Sequence, residues 1–161
     1  MADKTEGPAD DQDALLRVTQ GLRRVDVGTY ALRIRLAEKL GIGTIDINAM
    51  AFVGEVDGMT PKALGNILSI TTGSVTAMVD RLESKGFMVR KPNPTDRRSL
   101  LLQLSPAGTH AMQWSTEHFS EAAAAVLAGS SDATIADIGG FLESIGQRLL
   151  AAAGDPKETA S

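Results

Sequence analysis

Apolar residues recur every three or four positions along most of the chain, and this spacing predicts amphipathic α-helices. The first helical pattern runs from Gln12 to Leu40, and Gly41 predicts its end. Within it, alternating steps of three and four residues form a heptad seam, which is typical of helices that pack lengthwise against a partner. The seam consists of Leu15, Val18, Leu22, Val25, Thr29, Leu32 and Leu36.

The last third of the chain repeats this pattern in two further helices. Ser105 and Pro106 predict the start of the first, Gly129 predicts its end, and Ser131 predicts the cap of the second. A second apolar seam follows, which favours intersubunit packing in a two-fold dimer. The alternative is that both seams cover the core of a single subunit. The second seam consists of Ile135, Ile138, Leu142, Ile145 and Leu149.

Three shorter helices are predicted between these ends. Thr44 is the expected cap of the first, and Thr60 followed by Pro61 marks the start of the second. The segment 70–73 breaks the register, and Gly86 predicts a left-handed end to the third. The third helix should bury one apolar stripe formed by Val75, Met78, Val79 and Leu82.

Two β-prone runs, 87–91 and 98–104, enclose a turn-rich, basic segment and predict a hairpin. Two short helices followed by such a hairpin form a winged helix-turn-helix, a device that binds duplex DNA. The predicted fold is therefore mainly α with a small β-wing. Residues 44–105 form its DNA-binding part, and residues 12–43 and 106–152 form dimerisation helices in a single domain.

The face of the third short helix opposite the apolar stripe carries small and polar side chains, which suit contact with base edges in a major groove. At the hairpin tip, Arg97 and Arg98 suit the minor groove, and Asp96 is expected to orient a guanidinium. The alternative for the helix face is that its hydroxyl residues only cap the helix. The alternative for the hairpin tip is that its arginines lie in a solvated turn. The residues expected to contact DNA are Thr71, Thr72, Gly73, Ser74, Thr76, Ala77, Arg81, Arg97 and Arg98.

This segment resembles the multiple antibiotic resistance regulator (MarR) family. The resemblance covers roughly residues 12–152. It depends on Val79-Asp80-Arg81-Leu82-Glu83 before Gly86, and on Asp96-x-Arg98 continuing to Leu104-Ser105-x-x-Gly108. It implies a dimeric repressor of a near-palindromic operator, responsive to a small aromatic or phenolic effector. This chain has Ala77 where many members of the family have arginine, and Gly73 where they have serine, proline or alanine. The base preference of those members is therefore not transferred to this chain.

Composition and charge agree with this interpretation. The 161 residues have no cysteine, which excludes disulfides and thiol-based sensing. No apolar run is long enough for a membrane span, and the acidic start lacks a secretory signal, so a cytoplasmic location is expected. The net charge is −4, yet residues 59–110 hold seven basic and three acidic residues. Both tails, 1–11 and 154–161, have the composition of disordered segments.

No catalytic or metal-binding motif accompanies these features. His110 and His118 are eight residues apart, unlike the four-residue spacing of a helical zinc pair. We therefore expect no enzyme activity, metal or cofactor. Tyr30 and Trp114 are candidates for an effector pocket between the dimerisation helices and the DNA-binding part. Alternative functions are a winged-helix module that binds protein without sequence-specific DNA binding, and a small-molecule-binding or catalytic helical protein.

Overall fold

The computed structural model describes residues 8–96 and 98–154, which form six helices and one hairpin. The mainly helical fold with a small β-wing is thereby confirmed. Residues 1–7 and 155–161 of the predicted tails lie outside the described residues, as does Arg97, whereas residues 8–11 and 154 belong to helices. In chain order the elements are α1 Pro8–Leu40, α2 Thr44–Glu55, α3 Pro61–Leu68, α4 Thr72–Ser84, β1 Met88–Pro92, β2 Leu100–Leu104, α5 Pro106–Leu127 and α6 Asp132–Gly154.

The start of α2 differs from the prediction. The N-cap is Gly43 and not Thr44, so the predicted cap was wrong by one position. The reason is Asp46, a residue of the first helical turn. Its Oδ2 accepts the Gly43 N–H at 3.0 Å and so provides a hydrogen-bond partner for the backbone at the start of the helix. At the preceding end, α1 stops before Gly41, whose φ is +63°. α1 begins at Pro8, earlier than the predicted Gln12, because proline is well accommodated in a first helical turn.

Helices α3 and α4 form the predicted helix-turn-helix. Thr60 Oγ1 accepts the Ala63 N–H at 3.1 Å at the start of α3. The turn ends α3 at Ser69, which is in the left-handed region with φ +53°. The two helices approach closely, because a Cβ added to Gly65 would lie 3.0 Å from Val75 Cγ2.

The wing is an antiparallel pair of strands, in register from Met88 opposite Leu104 to Pro92 opposite Leu100. Two main-chain hydrogen bonds help to join it to the rest of the fold. The Leu102 N–H donates to the Met59 carbonyl oxygen at 2.8 Å, and the Ser105 N–H donates to the Phe87 carbonyl oxygen at 3.0 Å. The wing is therefore fixed both to the loop before α3 and to the loop after α4.

The buried core lies in the helix-turn-helix region and under the last turns of α1. Leu36, Ile47, Leu64, Leu82 and Met88 are among its largest buried side chains. In contrast, the part of α6 whose side chains are described contributes no buried residue. Among the described residues, no helix is both long and apolar enough to cross a membrane.

Candidate nucleic-acid interface

Helix α4 has one buried and one exposed face, as the sequence predicted. Val75, Met78, Val79 and Leu82 are buried. Every expected contact residue of this helix and its cap is exposed, so the structure presents a continuous, solvated surface of small and polar groups. These residues are Thr71, Thr72, Gly73, Ser74, Thr76, Ala77 and Arg81.

Several hydroxyls on this face already have local hydrogen bonds. Thr71 is the N-cap of α4, and its Oγ1 accepts the Ser74 N–H at 3.2 Å. Thr76 Oγ1 donates to the Thr72 carbonyl oxygen at 3.0 Å, which leaves it only acceptor capacity and a methyl group for an external partner. Thr71 therefore has the capping role that was the alternative to groove contact. Ser74 Oγ makes no hydrogen bond to the backbone and pairs with the side chain of Thr71, at 2.9 Å from Thr71 Oγ1.

The hairpin tip is held by side chain to main chain hydrogen bonds. Asp96 Oδ1 accepts the Arg98 N–H at 3.0 Å, so Asp96 fixes the backbone of the tip at Arg98, and the orientation of a tip guanidinium by Asp96 stays a prediction. Asn93 Nδ2 donates to Ser99 Oγ at 2.8 Å across the base of the tip. Arg98 is exposed, and none of the ion pairs within residues 11–96 and 98–152 includes it.

Arg90 connects the wing to the recognition helix α4. Its guanidinium donates to Asp80 Oδ1 at 2.8 Å and to Glu83 Oε2, and its backbone N–H donates to Glu83 Oε1 at 2.9 Å. One arginine of β1 thus binds two carboxylates one helical turn apart on α4. The wing and the exposed face of α4 consequently form one surface.

Arg81 has a partner that the sequence did not reveal. Its guanidinium binds the carboxylate of Asp46 on α2, with Nε–Oδ2 at 3.0 Å and Nη2–Oδ1 at 2.5 Å. The pKa of Arg81 is raised, and the largest cause is the hydrogen bonding to the Asp46 side chain. The only signal in the sequence was an acidic residue among the apolar residues of α2, and the pairing spans 35 positions.

The structure does not bring Tyr30 and Trp114 together in one pocket. Tyr30 is 54% exposed on α1, and among the described cavities none has it in its lining. Trp114 lines a cavity of about 470 Å³ between α1 and α5, with Lys39 Nζ lying 5.4 Å from the centre of its ring. The predicted pair is therefore divided between a solvent-facing position and a cavity.

A different cleft lies between α1, α2 and α5 and has a volume of about 290 Å³. Ser115 in its lining is buried, and Ser115 Oγ has no hydrogen-bond partner in the part of the chain that the structure describes. Arg33 also lines the cleft and donates from Nη1 to Asn48 Oδ1 at 3.2 Å. Sequence reasoning missed this site, because a single serine on a helix carries no signal of burial. The apolar part of the lining includes Leu32, Met50, Leu104, Met112 and Phe119.

The two histidines have local partners. His118 Nδ1 lies 2.8 Å from the Trp114 carbonyl oxygen and its ring centre lies 4.1 Å from that of Trp114, while His110 Nδ1 lies 3.2 Å from Gln113 Oε1. Within the described ranges, no three His, Cys, Asp or Glu side chains are grouped so as to hold a metal ion.

Comparison with known proteins gives a consistent result for the DNA-binding part. Residues 49–100 match the model of the MarR family. The uncharacterized HTH-type transcriptional regulator YcgE of Bacillus subtilis is 35% identical over 83 residues, which cover 52% of this chain and 54% of that protein. The multiple antibiotic resistance protein MarR of Salmonella typhimurium is 46% identical over 50 residues, which cover 31% of this chain and 35% of that protein. The chain thus spans about a third to a half of the length of these relatives.

Solved structures extend the similarity to most of the fold. A mutant of S. aureus MepR bound to an oligodeoxyribonucleotide has a TM-score of 0.53 and 18% identity, covering 82% of this chain and 97% of that one. At this identity the likeness shows the fold alone. Together with the family match, it confirms the resemblance drawn from the sequence.

Proposed function

We propose that this MarR family transcriptional regulator is a homodimer that binds a near-palindromic operator in the cytoplasm and represses transcription. The observation that carries the proposal is the single surface formed by the exposed face of α4 and the basic wing, joined through Arg90. A helix inserted in the major groove and a wing tip in the adjacent minor groove would each use part of that surface. Binding of an oligodeoxyribonucleotide by a protein of the same fold supports this.

The dimer is proposed from the apolar side chains that one subunit leaves exposed along α1 and α6. Leu15 is 66% exposed and Leu142 is 49% exposed in the single chain, although both occupy predicted seams. Apolar surface on this scale usually lies at an interface. Two-fold symmetry would place the half-site centres about one helical turn, roughly 34 Å, apart. The other seam members left exposed are Val18, Val25, Ile135, Ile138 and Leu149.

Relief of repression is proposed to come from a small aromatic or phenolic effector in the cleft that Ser115 and Arg33 line. The unpartnered Ser115 Oγ offers a hydrogen bond inside an otherwise largely apolar lining. An effector acts only if it binds one arrangement of the two DNA-binding parts more tightly than the other. Because α1 and α2 form walls of the cleft, occupancy can favour a spacing that does not fit the operator.

Selection of bound fragments from a random duplex pool tests this proposal. We expect a near-palindromic consensus, and a steep fall in affinity with salt on the selected duplex. A protein-interaction module with no sequence-specific DNA role predicts no enrichment, and that result with effector-free protein would contradict the proposal.

Replacing Arg98 by alanine is expected to weaken binding to the selected duplex by roughly 1–3 kcal/mol, about fivefold to 150-fold. The guanidinium is exposed at the wing tip, so its removal should leave the fold and the dimer unchanged. Fluorescence anisotropy gives the affinity, and sedimentation gives the subunit count. Arg98→Lys is the matched control, since it keeps the charge and loses the planar fork. Unchanged affinity of Arg98→Ala at physiological salt would contradict the minor-groove role.

Replacing Ser74 by alanine is expected to change which base is preferred at one position of each half-site, by roughly 1–3 kcal/mol at most. The reason is that Ser74 Oγ is bonded only to another exposed hydroxyl and can turn to a base edge. Repeating the selection with the variant measures the preference. Ser84→Ala, at the opposite end of α4, should reproduce the wild-type consensus. A uniform loss across all sequences would count against direct base contact by Ser74.

A further inference from the structure

Asp46 is a fully buried carboxylate between α2 and the recognition helix. Its exposed fraction is 0%, and both of its oxygens accept hydrogen bonds. Oδ2 accepts from the Gly43 N–H as well as from Arg81 Nε, each at 3.0 Å. A buried charge is stable only when it is paired and hydrogen-bonded, so this carboxylate needs Arg81.

Arg81 is constrained by the same pair. Its planar guanidinium uses Nε and Nη2 to hold the two carboxylate oxygens, a bidentate arrangement that fixes direction as well as distance. The side chain is nevertheless 45% exposed, on the face of α4 expected to approach DNA. Position alone therefore suggests a phosphate contact, while the hydrogen bonds suggest a role in orienting α4.

We propose that Arg81 acts in DNA binding as a positioning residue, which fixes α4 to α2 through Asp46, and that it does not contact phosphate. This inference rests on the proposed function. Two of the three guanidinium nitrogens are engaged by Asp46, and the bond to Gly43 fixes that carboxylate in turn. The pair joins the recognition helix to the first turn of α2.

The same pair gives α4 a physical connection to the effector cleft. Asn48, two residues after Asp46, accepts the hydrogen bond from Arg33 of α1, and Arg33 lines the cleft. Met50 of α2 lines it as well and is fully buried. The first two turns of α2 thus carry hydrogen bonds both to α1, through Asn48, and to α4, through Asp46.

The test uses Arg81→Lys, Arg81→Gln, Asp46→Asn and the double variant Asp46→Asn with Arg81→Gln, titrated onto the selected duplex over a range of salt. Lysine keeps the positive charge needed for a phosphate contact and loses the fork needed for Asp46. We expect Arg81→Lys and Arg81→Gln each to lose about tenfold or more in affinity. The slope of log affinity against log salt should stay at its wild-type value.

The double variant should bind no more weakly than the weaker single variant, because residues that act as one unit are not additive. A phosphate contact predicts the opposite pattern. Arg81→Lys would then bind nearly as well as wild type, and Arg81→Gln would reduce the steepness of the salt slope by about 0.9. That pattern would overturn the inference.

Thermal unfolding and the DNA titration together distinguish a loss of stability from a loss of DNA binding. Asp46→Asn disturbs a buried pair and is expected to lower stability, so thermal unfolding accompanies each titration. The decision rests on Arg81→Lys, whose change lies at a half-exposed side chain. If the wild-type protein selects no duplex, the proposed function fails and this inference falls with it. If wild type selects a duplex and Arg81→Lys binds it equally well, only this inference fails.

Discussion

Replacing Leu142 by aspartate is expected to convert the homodimer to a monomer and to abolish binding to the operator. Leu142 lies in the seam of α6 and is 49% exposed in the single chain, so its burial depends on a partner. Full burial of a leucine stabilises a structure by roughly 1.5–3 kcal/mol, and in a two-fold dimer the substitution is present in both subunits. A carboxylate at this place adds a desolvation cost. We expect the dissociation constant of the dimer to rise at least about a hundredfold.

Sedimentation velocity measures the subunit count, and anisotropy on the selected duplex measures the affinity. Ser144→Asp is the matched control, because Ser144 is exposed and is two residues from Leu142, which places it on the other side of the helix. The control should remain a dimer and bind DNA. A Leu142→Asp protein that sediments as a dimer with unchanged affinity would show that α6 lies outside the interface.

Replacing Gly108 by alanine is expected to destabilise the fold by roughly 4 kcal/mol or more, a loss that single substitutions reach only through mechanisms such as severe steric conflict. A Cβ at this position would lie 1.9 Å from the Phe87 carbonyl oxygen and 2.9 Å from its carbonyl carbon. That backbone cannot move freely, since the Phe87 N–H donates to Leu82 and its carbonyl oxygen accepts from Ser105. α5 would have to separate from the end of the recognition helix.

Thermal unfolding provides the measurement, and a loss of this size should lower the midpoint by roughly 8 °C or more for a chain of this length. Gly73→Ala is the control, because a Cβ there meets no atom within 4 Å and the helical position favours alanine. Its midpoint should match or slightly exceed that of wild type. A Gly108→Ala midpoint within about 2 °C of wild type would contradict the packing of α5 against Phe87.

The sequence predicted the helix-turn-helix well because its boundaries follow from local chemistry. Thr60 and Ser105 cap helices with their own side chains, and Gly86 takes a φ of +77° after α4. The buried stripe of α4 follows from helical periodicity alone. Each of these features depends on residues within about one turn of each other.

Most features that the sequence did not reveal depend on contacts between distant segments. The Thr44 cap was wrong for a local reason, because the Asp46 carboxylate accepts the Gly43 N–H three residues earlier. The pairing of Asp46 with Arg81 spans 35 positions, and no local rule links the two. Tyr30 and Trp114 were grouped by residue type, whereas in the single chain Tyr30 is 54% exposed and Trp114 lines a cavity. The burial of Ser115 likewise follows from how α5 packs, which spacing along the chain does not specify.

Hydroxyl-radical footprinting of the wild-type protein on its selected duplex tests the central claim most directly, because it maps the surface of α4 and the wing onto DNA. We expect two protected blocks related by two-fold symmetry, with centres about one helical turn apart, and minor-groove protection beside each block that is lost in Arg98→Ala. A single unsymmetrical block, or an Arg98→Ala footprint identical to that of wild type, would contradict it.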